Sequence, residues 1–203
     1  MSVALVIFVA TIVVSLVALY VSPSLVERLA FRPYYASRGQ YHTFITHGFV
    51  HGDLIHLIFN MMTFWFFAFM LERRIGGAAF GALYFIGLVG AISTTYFKHR
   101  NDPAYGSVGA SGAISAVLFA AIVYFPTMSL FILPFPFPIP APLFAVLYVG
   151  YSWYATGGGR FSGGPGGRRI NHDAHLIGAL LGLVFVLVTD PQAYTQLQRL
   201  VFG

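Results

Sequence analysis

Cysteine is absent from all 203 residues, which excludes disulfides, thiolate metal ligands and a cysteine nucleophile. Charge is nearly as scarce. Asp, Glu, Lys and Arg make up 8% of the chain, against about a quarter in a water-soluble domain, and the 57 residues from Pro103 to Gly159 carry none. With 58% hydrophobic residues and a mean hydropathy of +0.77, the composition is that of a chain that lives in a bilayer. The net charge of +5 is scattered over loops and forms no basic stripe along any element. It suits contact with membrane lipid headgroups, and a nucleic-acid partner is not expected. The N-terminal apolar run has neither a basic n-region nor a small-residue cleavage site before Glu27, so it reads as a first membrane helix and not as a signal peptide.

Crossing the hydrocarbon core takes about 20 helical residues. Apolar runs at about 3–21, 54–71, 76–97, 107–125, 143–155 and 171–189 therefore predict a single all-α domain over 1–203, a polytopic bundle of six transmembrane helices. Glu72-Arg73-Arg74 and Lys98-His99-Arg100 close the second and third. Between the fourth and fifth, the alternate prolines of LPFPFPIPAP, residues 133–142, forbid a helix and predict an extended loop at the interface. Tyr148, Tyr151, Trp153 and Tyr154 are aromatic residues of the kind that settle at headgroup level. The stretch ATGGGRFSGGPGGRR, residues 155–169, predicts a flexible loop, and Asp190-Pro191 stops the sixth helix before a short amphipathic tail.

Six spans make helices two, four and six begin on the same side of the membrane. The polar residues follow that parity. His47, His51, His56 and Asn60 lie around the start of helix two, Ser111 near the start of helix four, and His172, Asp173 and His175 at the start of helix six. Polar groups at membrane depth cost several kcal/mol unless paired or set in a wet cavity, so three clusters at one depth point to a functional site.

Each residue has a plain reading beside the chemical one. Ser111 fits a close helix contact, but Gly106 and Gly109 loosen the chain just before it and place it in a first turn, whose free N–H groups can hold an oxyanion. His175 fits a polar helix start, yet Gly178 and Gly182 on its own helix form a small-residue ridge. Helix four offers small faces to match, Ser111 with Ser115 and Gly112 with Ala116. If these faces pack, Ser111 and His175 meet at about 3 Å, as a nucleophile and its base must. Asp173, two residues from His175, points the wrong way to complete a triad, so a dyad is expected. His56 and Asn60 share one helix face with His51 above them, and serve either as donors to a tetrahedral oxyanion or as interhelical hydrogen-bond partners. A metal site at His47, His51 and His56 is a further reading, but HExxH and a nearby glutamate base are missing.

These residues resemble the rhomboid intramembrane serine proteases. HGDLIHLIFN matches the family's pattern at His51, His56 and Asn60, GASG at Gly109, Ser111 and Gly112, and AHLIG at His175 and Gly178. The resemblance covers nearly the whole chain. It implies a serine endopeptidase with Ser111 as nucleophile and His175 as base and then acid. Asn60, His56 and the Ser111 N–H would hold the oxyanion, and His51 would have a structural role. It further implies no cofactor and no metal, single-span membrane proteins as substrates, and a substrate gate formed by helix five and the loop after it. Two positions depart from the family: Tyr41-His42 stands where many relatives carry Trp-Arg, and Ser115 stands where some stack an aromatic ring on the histidine.

A catalytically inactive rhomboid-like chaperone or adaptor and a histidine-lined metal transporter are the alternative functions. The family implies a site opening to the extracytoplasmic side, and a short chain with neither soluble appendages nor a recognisable transit segment suggests a bacterial inner membrane. That orientation places Arg28, Arg32, Arg38, Lys98, Arg100, Arg160, Arg168 and Arg169 outside and only Arg73, Arg74 and Arg199 inside, opposite to the positive-inside rule.

Overall fold

The computed structural model describes residues 1–132, 135–156 and 171–202; the glycine-rich stretch expected as a loop lies almost wholly outside them. The first helix, α1 (Val3–Leu16), runs on through a π-helical turn, Val17–Val21. Its free N-terminal amides are met from two directions. Ser2 accepts from the Leu5 N–H at 3.1 Å, and the Glu72 carboxylate accepts from Val3 N at 2.6 Å, from Ala4 N at 3.3 Å and from the Ser2 hydroxyl. An acid at the positive end of a helix satisfies orphan donors and complements the dipole.

Three short helices then fold over one end of the bundle: α2 (Ser24–Leu29), α3 (Pro33–Ala36) and α4 (Thr43–Thr46), followed by a 3-10 turn at His47–Phe49. The long helices α5 (Leu54–Ile75) and α6 (Gly77–His99) are separated by Gly76, whose φ of 83° a side chain would resist. Next come α7 (Ser111–Tyr124), the strands β1 (Ser129–Ile132) and β2 (Phe135–Pro140), α8 (Ala141–Thr156), α9 (His172–Thr189) and α10 (Ala193–Phe202). Val3–Val21, α5, α6 and α9 are each long and apolar enough to cross a membrane. With 14 residues α7 is shorter than a span needs, and it stands at the centre, where every residue from Gly112 to Val123 is buried. The fold is an all-α membrane bundle.

Several boundaries differ from the expected ones for identifiable reasons. The fourth helix starts at Ser111 and not near residue 107. Phe31 and Ser107 exchange backbone hydrogen bonds at 2.9 Å, and Gly109 has a φ of 106°, so the chain reaches Ser111 in an extended and then left-handed conformation. The second helix keeps Glu72, Arg73 and Arg74 inside it and ends only at Gly76, whose positive φ breaks it and whose N–H closes on the Glu72 carbonyl. The proline-rich stretch is the second strand of an antiparallel hairpin, with Ser129 opposite Pro140 and Leu130 opposite Ile139. Alternate strand residues direct their N–H to the same side, so prolines spaced by two leave one edge without donors while Phe137 and Ile139 remain free to pair.

At the crossing of α7 and α9 the backbones touch. A Cβ added at Gly178 would lie 2.1 Å from the Gly112 carbonyl oxygen, and one at Gly182 2.2 Å from that of Ala116. On the other side of α7, a Cβ at Gly87 of α6 would meet Ala116 Cβ at 2.7 Å. Small residues substitute for the hydrophobic drive that lipid cannot supply between helices, letting dispersion act at short range. Gly178→Ala is expected to destabilise the protein by at least about 1–3 kcal/mol, the usual result of overpacking, seen as a lower midpoint in a denaturing-detergent titration. Gly150→Ala on α8, whose added Cβ meets nothing within 4 Å, should not lower that midpoint.

Candidate active site

The loop before α5 is built around two histidines. His47 Nδ1 bonds to the Thr43 carbonyl at 2.9 Å, and the His47 carbonyl accepts from the Gly109 N–H at 2.9 Å. Together with the Phe31–Ser107 pair, that bond ties the loop to the segment leading into Ser111. The Asp53 carboxylate caps α5 by accepting from the His56 N–H at 2.7 Å. The first turns of α5 thus present His56 and Asn60 on one face. Asn60 is buried, and its Nδ2 donates to the His56 carbonyl at 3.1 Å, an arrangement that uses one of the two amide protons.

Gly109 is required twice over. Its φ is positive, and a Cβ there would sit 2.7 Å from His56 Cε1. The missing side chain leaves room for the His56 ring beside the start of α7. Two residues on, Ser111 opens α7, where a backbone N–H has no intrahelical acceptor.

His175 arrives from α9, whose N-terminus is fastened to α6. Asn171 caps the helix by accepting from the Ala174 N–H at 3.1 Å, and its Nδ2 donates to the buried Thr95 hydroxyl at 2.7 Å. Lys98 pairs with Asp173 at 2.5 Å, so Asp173 is engaged away from His175. One turn beyond His175, Gly178 rests on the Gly112 backbone. With both helices held in this way, His175 Nε2 lies 2.7 Å from Ser111 Oγ. Both residues are partly exposed and, with His56 and Asn60, line a cavity of about 1750 Å³. Its walls are largely apolar, with Phe59 and Phe66 of α5 on one side and Phe144 and Tyr148 of α8 on the other. His51 is fully buried beneath His56, their ring centroids 4.9 Å apart. His47 and His51 turn Nδ1 toward Thr43 and Ser15, and among the described residues no three His, Asp or Glu side chains are grouped to hold a metal ion.

The Rhomboid domain family matches residues 38–191, about three quarters of the chain. The chain belongs to the rhomboid family. Over 153 residues it is 24% identical to the rhomboid protease GlpG of Salmonella paratyphi A, an alignment covering 71% of this chain and 47% of that protein. It is 29% identical over 162 residues to RHOMBOID-like protein 12, mitochondrial, of Arabidopsis thaliana, covering 72% and 46%. It is 30% identical over 142 residues to Presenilin-associated rhomboid-like protein A, mitochondrial, of Danio rerio, covering 68% and 35%. The chain spans less than half the length of these curated relatives. Mitochondrial relatives stand beside bacterial ones, so the family indicates an integral membrane protein without singling out a bacterial inner membrane.

Within this rhomboid, Ser115 is tied to the opposite wall. Its Oγ lies 3.0 Å from Tyr148 Oη. Tyr148, expected among the headgroups, instead packs on Phe119 and Phe144 against α7, while Trp153 and Tyr154 are exposed. Sequence reading also missed Asn171 and Thr95. Asn171 was accessible by the rule that favours asparagine before an apolar helix; Thr95 is one of three hydroxyl residues in a row, Ser93-Thr94-Thr95, and nothing in the sequence sets it apart from its neighbours.

Burial pushes His47 down to about 4, against its bond to the Thr43 carbonyl. His51 goes down to about 3 through burial and the neighbouring His56, with Asp53 opposing. Between these values and the ordinary 6.5 the unfolded chain binds more protons than the folded one, so acid favours unfolding. The melting temperature in detergent is expected to be level above pH 6.5 and to fall as the pH drops toward 4, with a shallower fall in His51→Gln.

Proposed function

We propose that this rhomboid is an intramembrane serine endopeptidase working through Ser111 and His175. The observation that carries the reading is the 2.7 Å contact between Ser111 Oγ and His175 Nε2 at the head of an apolar-walled cavity. The Nε2 lone pair takes the hydroxyl proton as Oγ attacks the peptide carbonyl. The oxygen that becomes negative accepts from the Ser111 N–H, from the second Asn60 amide proton and from the His56 ring, groups already placed before charge develops. His175 then gives its proton to the leaving amine, the C–N bond breaks, and an ester to Ser111 remains. Water attacks that ester, loses a proton to His175 and frees the acid, and His175 returns the proton to Ser111.

No third residue is needed to aim the imidazole. The Asn171–Thr95 bond and the Gly178–Gly112 contact hold the helix start from either side. Substrates are read as single-span membrane proteins, reaching the cavity between α5 and α8. A helix hides its carbonyls, so a segment weakened by small or helix-breaking residues is the kind that can be cut. The rhomboid-like adaptor without catalysis is the competing reading, and one measurement separates the two. A fluorophosphonate should label the wild type and not Ser111→Ala, and Ser111→Ala should lower cleavage of a transmembrane substrate by at least about 10⁴-fold, as loss of a serine nucleophile does elsewhere. Failure of the folded wild type to label would favour the adaptor.

The cavity mouth is read as extracytoplasmic despite the arginine count, because the first loop is long and structured and the Arg73–Arg74 pair sits at one helix end. An impermeant thiol reagent applied to intact cells should then label Asn101→Cys and spare Gln198→Cys; the reverse pattern overturns the orientation.

A further inference from the structure

Ser15 of α1 is fully buried, and its Oγ lies 2.9 Å from the Phe49 carbonyl oxygen and 2.9 Å from His51 Nδ1. A hydroxyl has one proton and a carbonyl can only accept. Ser15 therefore donates to Phe49 and accepts from His51, which fixes His51 as the Nδ1–H tautomer. Its Nε2 is left with a bare lone pair. That atom is buried and has no hydrogen-bond partner among the described residues.

Gly109 lies beside this part of the ring. The position of its missing Cβ is 2.7 Å from His56 Cε1, 2.9 Å from His56 Nε2 and 3.7 Å from His51 Cδ2. Cδ2 is bonded to Nε2 in imidazole, so the corner of His51 one bond from its free nitrogen and the Cε1–Nε2 edge of His56 flank the same glycine. The two ring planes stand 75° apart. The lone-pair edge of a ring packed so closely on His56 belongs to the electrostatic surroundings in which the His56 ring takes its orientation. The opposite tautomer would put an N–H in its place and favour a His56 that offers a lone pair back, turning its own N–H elsewhere.

We propose that Ser15 is a positioning residue, which through the tautomer of His51 sets the orientation of His56 beside Ser111. Ser15 touches no reacting atom, and the inference rests on the reading of His56 as an oxyanion donor. It assigns a task in the site to the first helix, which contributes no residue to the family's sequence motifs.

The test compares Ser15→Ala with Ser15→Thr, which keeps the hydroxyl. Ser15→Ala should lower kcat about tenfold at unchanged KM, less than the about 10² to 10³ lost with an oxyanion donor itself, and Ser15→Thr should restore most of it. In ring-15N-histidine spectra of the full chain, assigned with His51→Gln and His56→Gln, the wild type should show His51 protonated at Nδ1. Ser15→Ala should redistribute that tautomer and shift the His56 signals. A lowered melting temperature with kcat and both sets of ring signals unchanged would overturn the proposal and leave Ser15 a structural residue. The spectra decide even if the wild type cleaves no substrate, a result that would instead count against the protease reading. They also decide on Ser15→Ala alone if Ser15→Thr does not fold.

Discussion

The contact of two helix backbones at Gly112 and Gly178 is the constraint from which the rest of the site follows. In a bilayer, apolar side chains gain little by leaving lipid for protein, so helices are held by close packing and by polar bonds made where no water competes. Here the close packing comes one residue after Ser111 on α7 and one turn after His175 on α9. The distance between hydroxyl and imidazole is thus set by atoms that have almost no freedom to move. A side chain at Gly178 would strike the Gly112 carbonyl and push the two helices apart, while one at Gly112 would strike Ala91 of α6 on the other side of α7.

Polar groups complete what packing begins, and most of them act at helix ends. Asp53 starts α5, Asn171 starts α9, and Glu72, at the far end of α5, starts α1. Each cap satisfies donors that lipid would leave bare, and each fixes where along its helix the next side chains fall. Asn171 does so twice, since its amide also reaches Thr95 on α6. Together with Lys98 and Asp173, it gives α9 two polar ties to its neighbour near the membrane surface.

Much of this is legible from the chain alone. Charged residues bracket α5 and α6, and the small residues at Gly112, Ala116, Gly178 and Gly182 repeat at the spacing of one helix face. The clusters at His56, Ser111 and His175 are conspicuous because apolar sequence surrounds them. Other features leave no trace of that kind. Ser15 and Thr95 are hydroxyls inside apolar helices that hold other hydroxyls as well, Thr11 in α1 and Ser93 and Thr94 in α6, and their importance appears only when the ring or amide they meet is in place. The β-hairpin is hidden by its own prolines, which argue against a strand until their spacing of two is matched to one donor-free edge. Tyr148 carries the usual mark of an interfacial aromatic, and only the serine at position 115, small enough to leave space for a hydroxyl, admits it to α7.

The brevity of α7 has a mechanical corollary. At 1.5 Å per residue its 14 residues extend about 21 Å, well short of a hydrocarbon core about 30 Å thick. A buried rod of that length has at least one tip recessed below the lipid surface. If the recessed tip is the one bearing Ser111 and the proposed cleavage takes place there, a chain severed at that level would leave two stumps, each with a hydrophobic stretch shorter than the bilayer. Thickness mismatch would then loosen the grip of the membrane on both pieces, and the lipid itself would help to clear the products of the proposed reaction.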